Sequence, residues 1–297
     1  MGPAWWQHRT MDETTFTITT ADGQELQVYR WAPAGQPRAV VQVQHGLGEH
    51  GGRYRRFAEA LTGAGYLVCA PDSRASGRSA TNGYGVWGPD GWNGWVDDIA
   101  VLARRIHDDE PALPLALFGH SLGSFGSQQF LLDHADLVDA VILSGTTEPS
   151  GMAQALGGDE PADLASFNEP FEQRTGFEWL SRDTDEVDRY VADEACGWQP
   201  EPFVGIGGLA HAADPERLAA LPKDLPVLII SGDQDPVAGP SAMGPQVVAE
   251  RYRQVGLTDV TVTLYPEARH ELLNETNRDE VTADVLAWLD EHVPERD

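Results

Sequence analysis

Residues 117–126 read LFGHSLGSFG. Within them Gly119-His120-Ser121-Leu122-Gly123 sets one serine at the centre of a G-x-S-x-G pattern. Ahead of it LPLALF (113–118) is an apolar run that reads as a buried strand. Behind it SFGSQQFLLDHA (124–135) has helical spacing. A turn sharp enough to join such a strand to such a helix strains the serine backbone. Side chains at the flanking glycine positions would collide with neighbouring backbone. The stretch therefore predicts a nucleophile elbow with Ser121 at its tip.

A serine hydroxyl hardly ionises near neutral pH, so it needs a histidine to take its proton. That histidine needs a carboxylate to fix its tautomer and to stabilise the imidazolium. In a parallel sheet the residues just past the carboxyl ends of the strands gather along one edge. LPVLIISGDQDPV (225–237) puts Asp233 and Asp235 just beyond one strand-like run, and VTVTLYPEARHE (260–271) puts His270 just beyond the next. The chain order Ser121, Asp, His270 is the one expected when this set is built on a strand–elbow–helix unit. Asp233 follows Gly232 directly and reads as a turn-former whose side chain bonds local backbone. Asp235 is the better candidate for the acid. An oxyanion needs two N–H donors. One is expected from Leu122, the residue after the nucleophile, and the other from the Gly-rich loop QHGLGEHGGRY (44–54), where Leu47 is the candidate.

The rest of the chain alternates in the same way. TFTITTADGQELQVYRW (15–31) turns about Ala-Asp-Gly and reads as a β-hairpin. AVVQVQHG, YLVCAPD, LPLALFG, DAVILSG, LPVLIISG and VTVTLYPEA read as strands, and YRRFAEALTGAG, residues 95–108, SFGSQQFLLDHA, PQVVAERYRQVG and DEVTADVLAWLDEHV as helices. Continuous apolar strands alternating with helices predict an α/β fold with a mostly parallel sheet covered by helices on both faces. The rhythm breaks between about Thr146 and Gly208, a polar stretch rich in Gly, Pro, Asp and Glu. A structureless loop of that size would be unusual in one domain. The expected organisation is an N-terminal tail over 1–14, a core over 15–145 and 209–297, and a cap inserted over 146–208.

The 297 residues carry 47 acidic and 20 basic side chains, a formal charge of −27, with Lys223 the only lysine. Such a surface repels nucleic acid and anionic membranes, so neither is expected as a partner. No apolar run is long enough for a membrane span. MGPAWWQHRT lacks the basic-then-apolar order of a signal peptide, so the expected location is cytoplasmic. Cys69, in the strand-like YLVCAPD, reads as a buried small hydrophobe, and Cys196 lies far from it in sequence, so no disulfide is expected. His45 and His50 suggest a metal, but no third ligand stands at a suitable spacing. No metal and no cofactor are expected.

QHGLGEHGGRYRRFAEALTGAGY, GHSLGS, SGDQDPV and ARHE together resemble the monoacylglycerol lipase and lysophospholipase-like branch of the α/β-hydrolases, and FEWLSRDTDEVDRYVADEACGW (177–198) resembles the cap of that branch. The resemblance runs from about Thr15 to the end. It implies the α/β-hydrolase fold, a serine ester hydrolase without cofactor, Asp235 as the triad acid, and Leu47 and Leu122 as oxyanion donors. The implied substrate is a small or medium monoester, such as a monoacylglycerol or other monoalkyl ester. The alternatives are a serine aminopeptidase or amidase on the same fold, or a non-catalytic binder of small ligands. Two features depart from the branch. DSRASGRS (72–79) has Ala75-Ser76 where Gly-His is usual, and the next stretch carries Trp87, Trp92 and Trp95, which read as packing residues. In the cap, Phe167, Phe171, Phe177 and Trp179 are candidate substrate contacts, with packing inside the cap an equal reading.

Overall fold

A computed structural model describes residues 11–158 and 163–293. Among them, eight strands form one sheet in the order β1-β2-β4-β3-β5-β6-β7-β8. β1 (Asp12–Thr19) and β2 (Glu25–Ala32) make the expected hairpin, and β2 pairs antiparallel with β4 (Tyr66–Pro71). β3 (Ala39–Gln44), β4, β5 (Leu115–His120), β6 (Ala140–Ser144), β7 (Val227–Gly232) and β8 (Val260–Tyr265) are parallel. β1 begins three residues before the predicted hairpin. Asp12, Glu13 and Thr14, expected in the tail, pair instead with Ala32, Trp31 and Arg30. The tail tryptophans Trp5 and Trp6 lie outside the described residues.

Every residue of β3 to β7 is buried, because successive side chains face opposite layers that are both covered. On one face Val40, Leu117, Leu143 and Ile229 pack with residues of α2 (Gly91–Asp109), α3 (Leu122–His134) and α7 (Met243–Gln254). On the other Val41, Phe118, Ile142 and Ile230 pack with Phe57 and Leu61 of α1 (Arg55–Gly63) and Val281, Val285 and Leu289 of α8 (Arg278–His292). α2 starts four residues earlier than the sequence suggested. Trp92 therefore lies on this helix with Trp95, not on the loop before it. Stacked on each other at 5.2 Å, they are buried with Trp87, in line with a packing role.

Between β6 and β7 the chain forms α4 (Pro149–Leu156), α5 (Thr184–Ala192), α6 (Pro215–Leu218) and several short 3-10 turns. Two segments of this stretch are tied to the core. His270 N–H and Glu271 N–H donate to the carbonyls of Trp179 and Leu180, and Gly197 N–H donates to Gly48 O. Fully buried Glu275 adds to the first tie. Its carboxylate accepts from the backbone N–H groups of Arg182 and Arg269 and from Arg182 Nε.

Candidate active site

β5 ends at His120 and α3 begins at Leu122, so a single residue, Ser121, makes the whole turn. It does so at φ +51° and ψ −120°, a region costly for any residue with a Cβ. The close packing around it explains the glycines. A Cβ on Gly123 would lie 2.2 Å from Gln44 O, so α3 can approach β3 only without a side chain there. Leu122 is the first residue of α3, and its N–H has no acceptor within its own helix. Across from it, the loop after β3 comes close enough that a Cβ on Gly46 would lie 3.0 Å from Ser121 Cβ. Gly46 N–H is already engaged, donating to Glu49 Oε1 at 2.6 Å. Leu47 is the next amide along this loop.

Asp235 and His270 meet as an ion-pair-competent couple. His270 Nδ1 lies 2.8 Å from Asp235 Oδ2, and both side chains are at most 2% exposed. Asp235 Oδ1 accepts from Val237 N–H at 2.8 Å, which orients the carboxylate. Asp233, by contrast, accepts from Glu267 N–H at 2.8 Å, so it bonds the backbone of the loop after β8 and not the local backbone expected of a turn-former. The His270 ring is held between two others, His120 at 4.7 Å and Trp179 at 4.8 Å. Its Nε2 is buried with no hydrogen-bond partner among the described residues, as is Trp179 Nε1.

Of the four aromatic candidates only Trp179 touches His270. Phe167 packs behind Trp179 at 5.0 Å, Phe171 lies under the Arg269 guanidinium at 4.5 Å, and Phe177 packs on Tyr190 at 5.0 Å. Ala75, standing where the resembled family has glycine, keeps a left-handed φ of +66°.

Sequence reading missed the charged network beneath this site. Arg53 donates to both oxygens of Glu271, at 2.5 and 2.7 Å, and to Glu49 Oε2 at 2.8 Å. Tyr54 OH donates to Glu49 Oε1. These groups, His120 and Asn274 line a small cleft. Burial alone would raise the Glu49 carboxyl, but Arg53, His120 and His45 outweigh it and hold it down at about 2. The only signal was the four-residue spacing of Glu49 and Arg53. Glu271 is 218 positions from its partner.

His120 behaves differently. Burial, and then the neighbouring His270, lower it from 6.5 to about 4. The folded protein thus keeps this imidazole neutral where the unfolded chain protonates it. That contribution to stability is complete above about pH 6.5 and declines as pH falls toward 4. The shift corresponds to roughly 3 kcal/mol at the acid end. Urea unfolding measured from pH 7 to pH 4 is expected to show this decline, and His120→Gln should flatten it. Identical slopes in the two proteins would remove His120 as the cause.

The family described as serine aminopeptidase, S33, matches residues 35–277. The monoacylglycerol lipase of Mycolicibacterium smegmatis is 31% identical over 276 residues, covering 89% of this chain and 92% of that protein. The monoglyceride lipase of Mus musculus is 31% identical over 288 residues, covering 94% and 90%. A highly thermostable carboxyl esterase from Bacillus coagulans, solved in complex with glycerol, superposes with a TM-score of 0.84 at 27% identity, covering 96% of this chain and 100% of that one. With that extent of match, the chain belongs to the serine aminopeptidase, S33, family and is an α/β-hydrolase of the monoacylglycerol lipase and esterase type.

Proposed function

We propose that the protein hydrolyses carboxylic monoesters through Ser121, His270 and Asp235. The observation that carries the reading is the buried Asp235–His270 pair at 2.8 Å, on the same sheet edge as the strained Ser121 elbow. In this mechanism Ser121 Oγ attacks the ester carbonyl carbon while His270 Nε2 takes its proton. Asp235 holds Nδ1–H and leaves a lone pair on Nε2, which makes no hydrogen bond to Ser121 Oγ in this structure and must close on it for the transfer. The N–H groups of Leu47 and Leu122 hold the developing oxyanion. His270 then gives its proton to the departing alcohol. A water, deprotonated by His270, cleaves the acyl-enzyme and restores Ser121.

Residues 146–208 act in this reading as a cap. Trp179, lying on His270 with almost no exposure, is the part of it that must move aside for substrate. The two relatives named for monoacylglycerol support an acyl monoester as substrate. An aminopeptidase would need a carboxylate free to take the substrate amino group, and the nearby Glu49 and Glu271 are both ion-paired to Arg53, which cancels one of their two charges.

A panel tests the reading: p-nitrophenyl esters of rising chain length, monoacylglycerols, dialkyl aromatic esters and an aminoacyl anilide. The monoesters are expected to exceed the anilide by about 100-fold or more in kcat/KM. An anilide rate equal to the best ester would replace the esterase reading by the peptidase one.

A further inference from the structure

The sequence left His50 without companions for a metal, and the fold supplies two. His50 lies on the loop after β3. Asp193 follows α5, and Cys196 ends the turn begun at Asp193, with its N–H donating to Asp193 O at 2.9 Å. One ligand atom from each of the three residues lies within 4.8 Å of the others. We propose that His50, Asp193 and Cys196 form a site for a divalent zinc-like cation that joins the β6–β7 stretch to the core.

The donor set fits that chemistry. An imidazole, a carboxylate and a thiolate together suit Zn²⁺, and three protein ligands leave a fourth position for water. Ligand atoms around tetrahedral Zn²⁺ stand roughly 3.5 Å apart, so the set must close by about 1 Å, within reach of side-chain rotation. The roles are already apportioned. Asp193 Oδ1 is held by Ala195 N–H at 2.9 Å, while Oδ2 points to His50 Nε2 at 3.0 Å. On the far side of the ring, His50 Nδ1 stands 3.9 Å from buried Asp72, too far for a hydrogen bond but close enough to add negative charge behind the ring.

The surrounding charge also favours a cation. Arg53, which acts on both Asp193 and Cys196, carries one positive charge against the two negative ones of Glu49 and Glu271, so Asp72 and Asp193 add to a net negative charge. Burial pushes the Cys196 thiol up, so binding must displace its proton, as binding at thiolate sites generally does. Next in sequence, Gly197 donates to Gly48 O, one residue from Leu47. A metal here would therefore brace the loop that carries the candidate oxyanion amide.

Co²⁺ titration of chelator-stripped protein tests this without measuring esterase activity. One Co²⁺ per chain is expected, with a thiolate-to-cobalt charge-transfer band in the near ultraviolet that Zn²⁺ abolishes by displacement. Cys69 is buried in β4 and is the chain's other cysteine, so Cys196→Ser should remove the band while Cys69→Ser keeps it. His50→Asn should weaken affinity by about 10-fold or more. Circular dichroism checks that each variant is folded. The absence of the band in wild type, its survival in Cys196→Ser, or Co²⁺ held through histidines alone would overturn the site.

Discussion

Ser121→Ala is expected to lower kcat on a short p-nitrophenyl ester by about 10⁶-fold, with the fold intact. The size follows from the proposed role. Removing the Oγ deletes the acyl-enzyme route altogether, and only the oxyanion amides and substrate binding remain to assist direct attack by water. Stability should hardly change. The residue at the elbow sits at φ +51° with either side chain, so the backbone strain is common to both proteins. The Ser121 side chain also takes no part in the network below, whose hydrogen bonds run between Glu49, Arg53, Tyr54 and Glu271. A melting temperature within about 3 °C of wild type would separate lost chemistry from lost fold. Wild type should also take one fluorophosphonate per chain, and the variant none. A folded variant that keeps a tenth of the activity would reject Ser121 as nucleophile.

The elements that read cleanly from sequence are those specified by near neighbours. β3 to β7 are short, apolar and closed by Gly, Pro or Asp, because both of their faces are covered, and that pattern survives in any window of the chain. Ser121 was recognisable because the steric demands of one turn force glycine two positions to either side. The contacts around the candidate site were not recognisable, for a different reason. Trp179 reaches His270 only because the stretch between β6 and β7 folds back across the sheet edge, and Glu271 meets Arg53 only because β3 and β8 end on that edge. Nothing local distinguishes Trp179 from Phe171 or Phe177, which turned to Arg269 and Tyr190. The early start of α2 was hidden by Gly91 and Gly94, which lower helix propensity. Gly94 is needed there because a Cβ would meet the Arg74 guanidinium at 2.7 Å.

The two aspartates after β7 have different partners, the loop after β8 for Asp233 and His270 for Asp235, and their amide variants should diverge by about 10⁴-fold in kcat. In Asp235→Asn the side-chain oxygen can still accept from Val237 N–H, so the loop keeps its shape. The amide group, however, then faces His270 Nδ1 as a donor. That contact favours the tautomer with the proton on Nε2, which cannot accept the hydroxyl proton of Ser121. The variant also loses the negative charge that would stabilise the imidazolium in a buried site, where screening by water is weak. In Asp233→Asn the oxygen that accepts from Glu267 N–H is preserved, and the half-exposed side chain makes no contact with His270. Activity there should stay within about 3-fold of wild type, since neither the loop contact nor the imidazole is disturbed. Steady-state kinetics on one ester, with both variants checked for a cooperative melt, decides the assignment. If Asp233→Asn were the crippled protein and Asp235→Asn the active one, the acid would be Asp233 and the 2.8 Å pair with His270 would be only a structural contact.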